Sequence, residues 1–275
     1  MTSEQQGRAA AAAFRAEHHL GFQPLGDLVA LIERATPHDV TILDATPDEH
    51  GLTMRDPVRG VAFIGIARTR NPMRQRSTLA HELAHVVFDD WDGTPSLTSR
   101  SPQEVRADAF ARHLLVPLQG VAELLGDRDS VAARDLSTVV QSFLVSPAMA
   151  AIALQSCGYI DESTKHEWMT LSTLHLATRF GWSDQYASLQ NDADRLRSPQ
   201  RLLARAINGY GEGVISAQAI ATLRGISLEA ATDELSAAGI IPRTPRPPWL
   251  SAADLPMVSV DLSDLDDEPP EGTTA

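Results

Sequence analysis

The sequence predicts an α+β protein: a helix-rich first unit with a small β-sheet, followed by an all-helical C-terminal region that contains helix-turn-helix-like pairs. Two changes in the spacing of apolar residues indicate this class. The spacing is helical up to about residue 34, is typical of strands between residues 40 and 67, and is helical again from Thr78 onward. After Pro117 the periodic segments are all helical, so we expect the sheet to be confined to the first unit.

Two helices and three strands are predicted in the first 67 residues. The first helix covers residues 3–20, where Ser3 and Gln6 have capping-box spacing and Gly21 marks the end. The second covers residues 24–34. Residues 40–43, 51–55 and 61–67 are typical of strands, with a hairpin turn before the last. Because residues 61–67 are apolar nearly throughout, we expect them to form the inner strand.

The remaining segments are predicted to be helical. Residues 78–88 form one helix and residues 102–115 another, with Ser101 as N-cap, Pro102 in the first turn and Pro117 as the stop. Residues 136–145 with 146–158, and residues 216–224 with 227–239, resemble helix-turn-helix pairs, and two or three helices lie between residues 161 and 206. We therefore divide the chain into residues 1–120, a helical domain at 121–253 and a disordered acidic tail at 254–275.

Charge and composition exclude several classes of protein. The net charge is −13, and seven acidic side chains but no basic one lie in the tail. The candidate recognition helix at residues 146–158 has no base, and the one at 227–239 carries Glu229, Asp233 and Glu234, so both argue against direct DNA binding. A single cysteine, Cys157, excludes an internal disulfide. No apolar run is long enough to span a membrane, and we expect a cytoplasmic protein.

The segment with clear chemistry is the His-Glu-x-x-His motif at His81, Glu82 and His85. Residues four apart on a helix differ by about 40° in direction and about 6 Å in rise, so the two imidazoles can converge on one metal ion. Glu82 then projects beside the metal and can reach a water molecule there. A catalytic zinc ion needs a third protein ligand and one open position.

Glu104, near the start of the next predicted helix, is the best candidate for the third ligand. Asp108, one turn further on the same face, is placed to hold a ligand histidine through its other ring nitrogen. Two alternatives remain open. Ser101 and Glu104 also have capping-box spacing, in which the carboxylate would bond to the Ser101 backbone instead. Three acids in the connecting loop are rival ligands, namely Asp89, Asp90 and Asp92.

These residues resemble a known family. The segment from Thr78 to His85, followed by the E-x-x-A-D-x-F-A-x-x-L-L-x-P pattern from Glu104 to Pro117, is similar to the ImmA/IrrE family of zinc metallopeptidases. The resemblance covers residues 1–120 well and residues 130–160 loosely, and it departs where Ala84 replaces the usual glycine and Ser77 a common aromatic residue. It implies a cytoplasmic, site-specific endopeptidase that cleaves a helix-turn-helix transcriptional repressor and so derepresses stress-response or mobile-element genes.

The chemistry expected of this site follows from zinc. One Zn²⁺ per chain, held by His81, His85 and Glu104, would lower the pKa of its bound water toward about 7 and polarise the scissile carbonyl. Glu82 would act as general base and return the proton to the leaving amine. The candidate substrate-binding residues are four arginines between the last strand and the motif, and one histidine: Arg68, Arg70, Arg74, Arg76 and His113. The alternative for the arginines is that they form a solvated basic loop without a role in binding.

Two other functions remain possible from the sequence. One is a transcriptional regulator whose metal site is structural or vestigial. The other is an antirepressor that sequesters its partner without cutting it. If the strand at residues 61–67 were instead at the edge of the sheet, a peptide substrate could add to it as an extra strand.

Overall fold

The computed structural model describes residues 1–45, 51–91, 101–128 and 130–243. The predicted α+β class is confirmed, because a three-stranded sheet lies among the first helices and the rest of the described chain is helical. The predicted acidic tail, the candidate ligand Asp92 and the proline-containing segment that starts at residue 244 lie outside the described residues. The first unit contains α1 (Ser3–Glu17), α2 (Leu28–Ala35), β1 (Asp39–Leu43), β2 (Gly51–Asp56), β3 (Val61–Ala67), α3 (Pro72–Val87) and α4 (Pro102–Leu115).

The sheet has the order β1-β3-β2, with β3 parallel to β1 and antiparallel to β2. The prediction that residues 61–67 form the inner strand is confirmed, so a peptide cannot add to that strand. Backbone hydrogen bonds between Ile42 and Arg197 cover the outer side of β1. Among the described residues, β2 is therefore the edge strand without a further strand beside it.

The capping residue of α1 differs from the prediction, and α2 and α3 begin at other residues than predicted because other side chains cap them. Thr2 and Gln5, not Ser3 and Gln6, form the capping box of α1. The α2 helix begins at Leu28 instead of residue 24, since the Asp27 carboxylate accepts a hydrogen bond from the Ala30 N–H. The α3 helix begins six residues earlier than predicted, at Pro72, where Asn71 is the N-cap. The start of α4, with Ser101 as cap and Pro102 in the first turn, agrees with the prediction.

Close packing of α1 against α4 places the second motif helix. A Cβ atom at Gly7 would lie 2.5 Å from the Arg106 carbonyl oxygen and 2.7 Å from the Phe110 backbone nitrogen, so the two helices touch at this glycine. Phe110 and Leu114 are fully buried beside them. This contact fixes α4 so that its other face is directed toward α3, which carries the His-Glu-x-x-His motif.

The C-terminal region is helical throughout its described part. It comprises α5 (Leu118–Leu125), α6 (Ala133–Phe143), α7 (Pro147–Ser156), α8 (Glu162–Met169), α9 (Thr173–Phe180), α10 (Ser183–Ala193), α11 (Gln200–Gly211), α12 (Ala217–Arg224) and α13 (Leu228–Ala237). Where two or three helices were predicted between residues 161 and 206, the structure has α8 to α11, because Ser172 caps α9 and Gly181 ends it before α10.

The predicted boundary near residue 120 does not coincide with a gap in packing. It falls inside α5, and one continuous core runs from Ala11 through Phe110 and Phe143 to Tyr186. A separate small cluster joins α11, α12 and α13. The first unit and the helices up to α10 therefore share one hydrophobic core.

The two helix-turn-helix-like pairs form as helices. The second helix of the first pair, α7, buries Ala150, Ala151 and Leu154 in the main core, which favours a packing role. The α13 helix exposes Glu229 and Asp233, and its Glu234 pairs with Arg224. The absence of direct DNA binding stays a prediction.

No single helix in the described ranges is long and apolar enough to cross a membrane. The α6–α7 pair, bent by 111°, meets the length and composition criteria together.

Candidate metal centre

The α3 and α4 helices bring His81, His85 and Glu104 into one cluster. The two histidine Nε2 atoms are 3.2 Å apart. Glu104 Oε2 lies 3.2 Å from His81 Nε2, and Glu104 Oε1 lies 3.7 Å from His85 Nε2. One candidate ligand atom from each side chain can be chosen so that all three lie within 4.8 Å of one another. The sequence-predicted ligand set is thus assembled in space.

The donor set fits a tetrahedral zinc ion. Bonds of about 2.0–2.1 Å at tetrahedral angles place neighbouring ligand atoms about 3.3 Å apart, which is close to the distances found. The His81 Nδ1 atom is hydrogen-bonded to the Asp108 carboxylate. The neutral imidazole that carries its N–H on Nδ1 has its lone pair on Nε2, which is directed toward His85 and Glu104. Two imidazole nitrogens and a carboxylate converging in this way favour a cation between them.

The backbone and the side chain of Glu104 have different partners, which decides between the capping role and the ligand role. Its backbone N–H donates to Ser101 Oγ, at 3.2 Å, as in a normal helix cap. Its carboxylate, however, contacts His81 and His85. Only half of a capping box forms, and the carboxylate is left for the cluster.

Each histidine has a carboxylate behind it. Asp108 Oδ1 lies 2.9 Å from His81 Nδ1, as expected for a residue that orients a ligand histidine. Asp90 Oδ2 lies 3.5 Å from His85 Nδ1, and Asp90 Oδ1 bonds Arg106 at 2.5 Å. Asp90, a rival ligand in the sequence, therefore lies behind His85, on the side away from the cluster. The sequence held no signal for this second role, because it depends on the turn after α3.

The loop acid Asp89 is directed elsewhere. Its carboxylate pairs with Arg55 of β2 at 3.0 Å and accepts from the Trp91 ring nitrogen. Its backbone adopts a left-handed conformation, with φ of 57°. This turn sends Asp89 toward the sheet while Asp90 faces His85.

Glu82 lies against the edge strand β2. The Thr53 hydroxyl donates a 2.6 Å hydrogen bond to Glu82 Oε2. A Cβ atom at Gly51 would lie 2.4 Å from Glu82 Oε1, so only glycine leaves room for this carboxylate. Sequence reasoning missed Thr53 and Gly51, since neither belongs to a recognisable motif.

The four predicted substrate-binding arginines do not form one strip. Arg68 pairs with Asp44 at 2.9 Å and Arg70 with Asp194 at 3.9 Å. Arg74 is exposed and also has an interaction partner.

The role predicted for Arg76 is wrong. Its guanidinium donates to the carbonyl oxygens of Leu25, Gly26 and Leu144, and burial lowers its pKa to about 10. Arg76 therefore ties α3 to the α1–α2 loop and to the end of α6, and this structural role replaces the one predicted for it.

The predicted role of His113 as a substrate-binding residue of the metal centre is also wrong. His113 follows Glu104 by nine residues on α4, which is half a turn away in direction and about 13 Å along the axis. Its Nε2 atom contacts Glu4 of α1 at 3.0 Å. Burial lowers the pKa of His113, while Glu4 opposes that shift. The side chain belongs to the α1–α4 contact and faces away from the cluster.

Comparison with known proteins agrees with this geometry. The family model Peptidase_M78, described as the IrrE N-terminal-like domain, matches residues 35–155. The match includes the sheet, α3 and α4, and it extends past the predicted boundary at residue 120 to α7. No curated protein matches the chain. Residues 35–155 thus match a metallopeptidase-type domain, whose His-His-Glu cluster is compatible with a metal ion, and this match supports a member of the ImmA/IrrE family.

Proposed function

We propose that this protein is a zinc-dependent, site-specific endopeptidase that cleaves a helix-turn-helix transcriptional repressor in the cytoplasm and thereby derepresses stress-response or mobile-element genes. The observation that carries the peptidase part is the convergence of His81, His85 and Glu104, with Glu82 directly after His81 on the same helix. The repressor as substrate rests on the family resemblance.

The chain's own residues divide the chemistry between them. His81, His85 and Glu104 hold the metal, and a bound zinc ion supplies a lowered water pKa and a polarised carbonyl. Glu82 takes a proton from the attacking water and delivers it to the leaving amine nitrogen. Thr53 holds one oxygen of Glu82, which leaves the other oxygen for proton transfer.

The edge strand β2 supports a peptide as the substrate. Among the described residues, β2 has no strand on its outer side, and its residue Thr53 contacts the proposed base. An extended peptide that adds to this edge would pair its backbone N–H and C=O groups with those of β2, and it would run past Thr53, which contacts Glu82. Edge addition recognises the backbone of an extended segment, which suits an endopeptidase.

The test uses the full chain with one equivalent of zinc and the helix-turn-helix repressor encoded nearest to it. Mass analysis should show two repressor fragments from a single cut. Glu82→Gln should retain zinc and lose cleavage, while the matched variant Glu167→Gln, at an exposed acid on α8, should cut at the native rate. A Glu82→Gln protein that cuts normally would refute the base assignment.

The same experiment separates the alternatives. Tight repressor binding without fragments, in a zinc-loaded protein, would identify an antirepressor. Operator binding that weakens steeply with salt would instead identify a regulator that reads DNA.

A further inference from the structure

A cleft lies at the end of the α1–α4 pair that is far from the metal centre. Its volume is about 370 Å³, which is within the range of small-molecule sites. Residues from α1, the α1–α2 loop, α4 and the start of α5 line it, among them Arg8, Arg15, Phe22, His113 and Leu118. Neither the metal ligands nor Glu82 belong to its lining.

The charge of this cleft is opposite to that of the protein. The chain as a whole carries −13, yet the lining contains two arginines, Arg8 and Arg15, and no acidic residue. The nearby acid Glu4 contacts His113 and also pairs with Arg112, so its negative charge is balanced outside the lining of the cleft. The local surroundings are therefore positive, and they favour an anion.

Arg15 is the buried cation of the cleft. Its side chain donates to the carbonyl oxygens of Leu114, Gly21 and Gln23, and the residue is 3% exposed. Backbone carbonyls satisfy hydrogen bonds without neutralising the charge, and a buried charge is costly unless it is paired. An anion in the cleft would supply the missing negative charge.

The walls of the cleft are apolar and held in place. Ala12, Ala16, Phe22 and Leu118 supply the hydrocarbon surface. The loop that carries Phe22 turns through a left-handed Gly21, with φ of 58°, and Arg15 bonds the carbonyls on both sides of Phe22. The wall is thus positioned before any ligand binds.

We propose that this cleft binds a small amphiphilic anion, with its carboxylate or phosphate group beside Arg8 and Arg15 and its apolar body against Ala12, Phe22 and Leu118. Arg8 is exposed at the rim and can move to the head group. The site is independent of the proposed peptidase activity, because binding there requires neither zinc nor a repressor.

Calorimetric titration of the full chain tests this proposal with four probes: octanoate, octyl phosphate, octanol and inorganic phosphate. At least one of the two amphiphilic anions should bind with one ligand per chain. Octanol and inorganic phosphate should bind about tenfold more weakly or not at all, because each lacks one half of the recognised chemistry. The anion with the higher affinity, octanoate or octyl phosphate, would show whether the cleft prefers a carboxylate or a phosphate head group.

Two variants locate the binding. Arg8→Gln removes the exposed cation and should weaken binding about tenfold, whereas Ala12→Trp fills the cleft from the exposed surface of α1 and should abolish it. Arg205→Gln, at an exposed arginine on α11, is the matched control and should bind as the native protein does. Circular dichroism confirms folding of each variant. Binding of octanol as tight as that of the better-binding amphiphilic anion, unchanged affinity in Arg8→Gln and Ala12→Trp, or no saturable binding of either anion would overturn the proposal.

Discussion

The Thr53 hydroxyl, on edge strand β2, donates a 2.6 Å hydrogen bond to the Glu82 carboxylate on α3. The two residues are 29 positions apart, and β2 and α3 pack against each other to bring them together. A carboxylate that accepts a bond at one oxygen has a restricted rotamer, so its other oxygen keeps a constant direction. The sheet thereby takes part in the proposed catalytic site through an orienting contact.

Thr53→Val should slow repressor cleavage by about tenfold, since it removes a hydrogen bond to a charged group worth about 1.5 kcal/mol. The loss should appear in kcat more than in KM, because the bond orients the base and does not hold the peptide. Thr53→Ser, which keeps the hydroxyl, should restore most of the rate. Steady-state kinetics measure both values, and a serine variant as slow as the valine variant would contradict the orienting role.

Gly51→Ala should displace the Glu82 carboxylate while the fold persists. The added methyl group would lie 2.4 Å from Glu82 Oε1, and the flexible end of that side chain must move. A shift of about 1 Å in a catalytic group costs about 100-fold in rate. Gly26→Ala is the control, because a Cβ there meets no atom within 4 Å. Native cleavage kinetics in Gly51→Ala would show that the position of Glu82 is not critical.

Asp108→Asn and Asp90→Asn should each weaken zinc binding about tenfold or more, because the carboxylates behind His81 and His85 fix the ring orientation. Asp90 Oδ2 is buried and has no hydrogen-bond partner, and His85 Nδ1 lies 3.5 Å from it. Competition with a chromophoric chelator measures the affinity directly. Asp184→Asn, at an exposed acid on α10, is the matched control, and an affinity equal to it in both variants would reject the role of these carboxylates.

Gly7→Ala should destabilise the protein by about 1–3 kcal/mol, the usual cost of overpacking. The new methyl group would meet backbone atoms of Arg106 and Phe110 at 2.5 and 2.7 Å, and backbone cannot yield as a side chain does. Urea unfolding measures the free energy of unfolding. Gly211→Ala, where the space is open, should leave stability the same or slightly higher, so an equal loss in both variants would argue against the α1–α4 contact as the cause.

Asp27 should stabilise the fold at neutral pH and lose this effect in acid. Burial alone would raise its pKa, but hydrogen bonds from the Ala30 N–H and from Arg197 outweigh burial and leave the pKa below its ordinary value. A carboxyl whose pKa is lower in the folded state stabilises above its unfolded pKa, and the effect is lost as the pH falls through the folded value.

Asp27→Asn keeps the helix cap and removes the charge that pairs with Arg197 at 2.8 Å. Because the pair is half exposed, the loss at pH 7 should be below about 1 kcal/mol, and the stabilities of the two proteins should converge once the pH has fallen through the lowered folded-state pKa of Asp27. Denaturant unfolding across this pH range measures it. A stability difference that is unchanged in acid would show that the charge is not its source.

Local patterns allowed much of the fold to be predicted. The strand at 61–67, the cap at Ser101 and the end of α4 follow from residues next to one another in the chain, whose preferences survive packing. The errors arose where several residues compete for one role. Thr2, not Ser3, caps α1. Asn71 caps α3, so that this helix begins before the first residue with helical apolar spacing.

Sequence alone determined the spacing of His81 and His85 on one helix face, since four residues on a helix always return to the same side. It also indicated Glu104 and Asp108, because a capped second helix presents them one turn apart. Only the tertiary structure decided which residues support that cluster. Thr53 and Gly51 contact Glu82, and Asp90 lies behind His85, because distant segments pack together. The same packing directs Arg76 and His113 away from their predicted roles. Local spacing in the sequence does not encode such contacts.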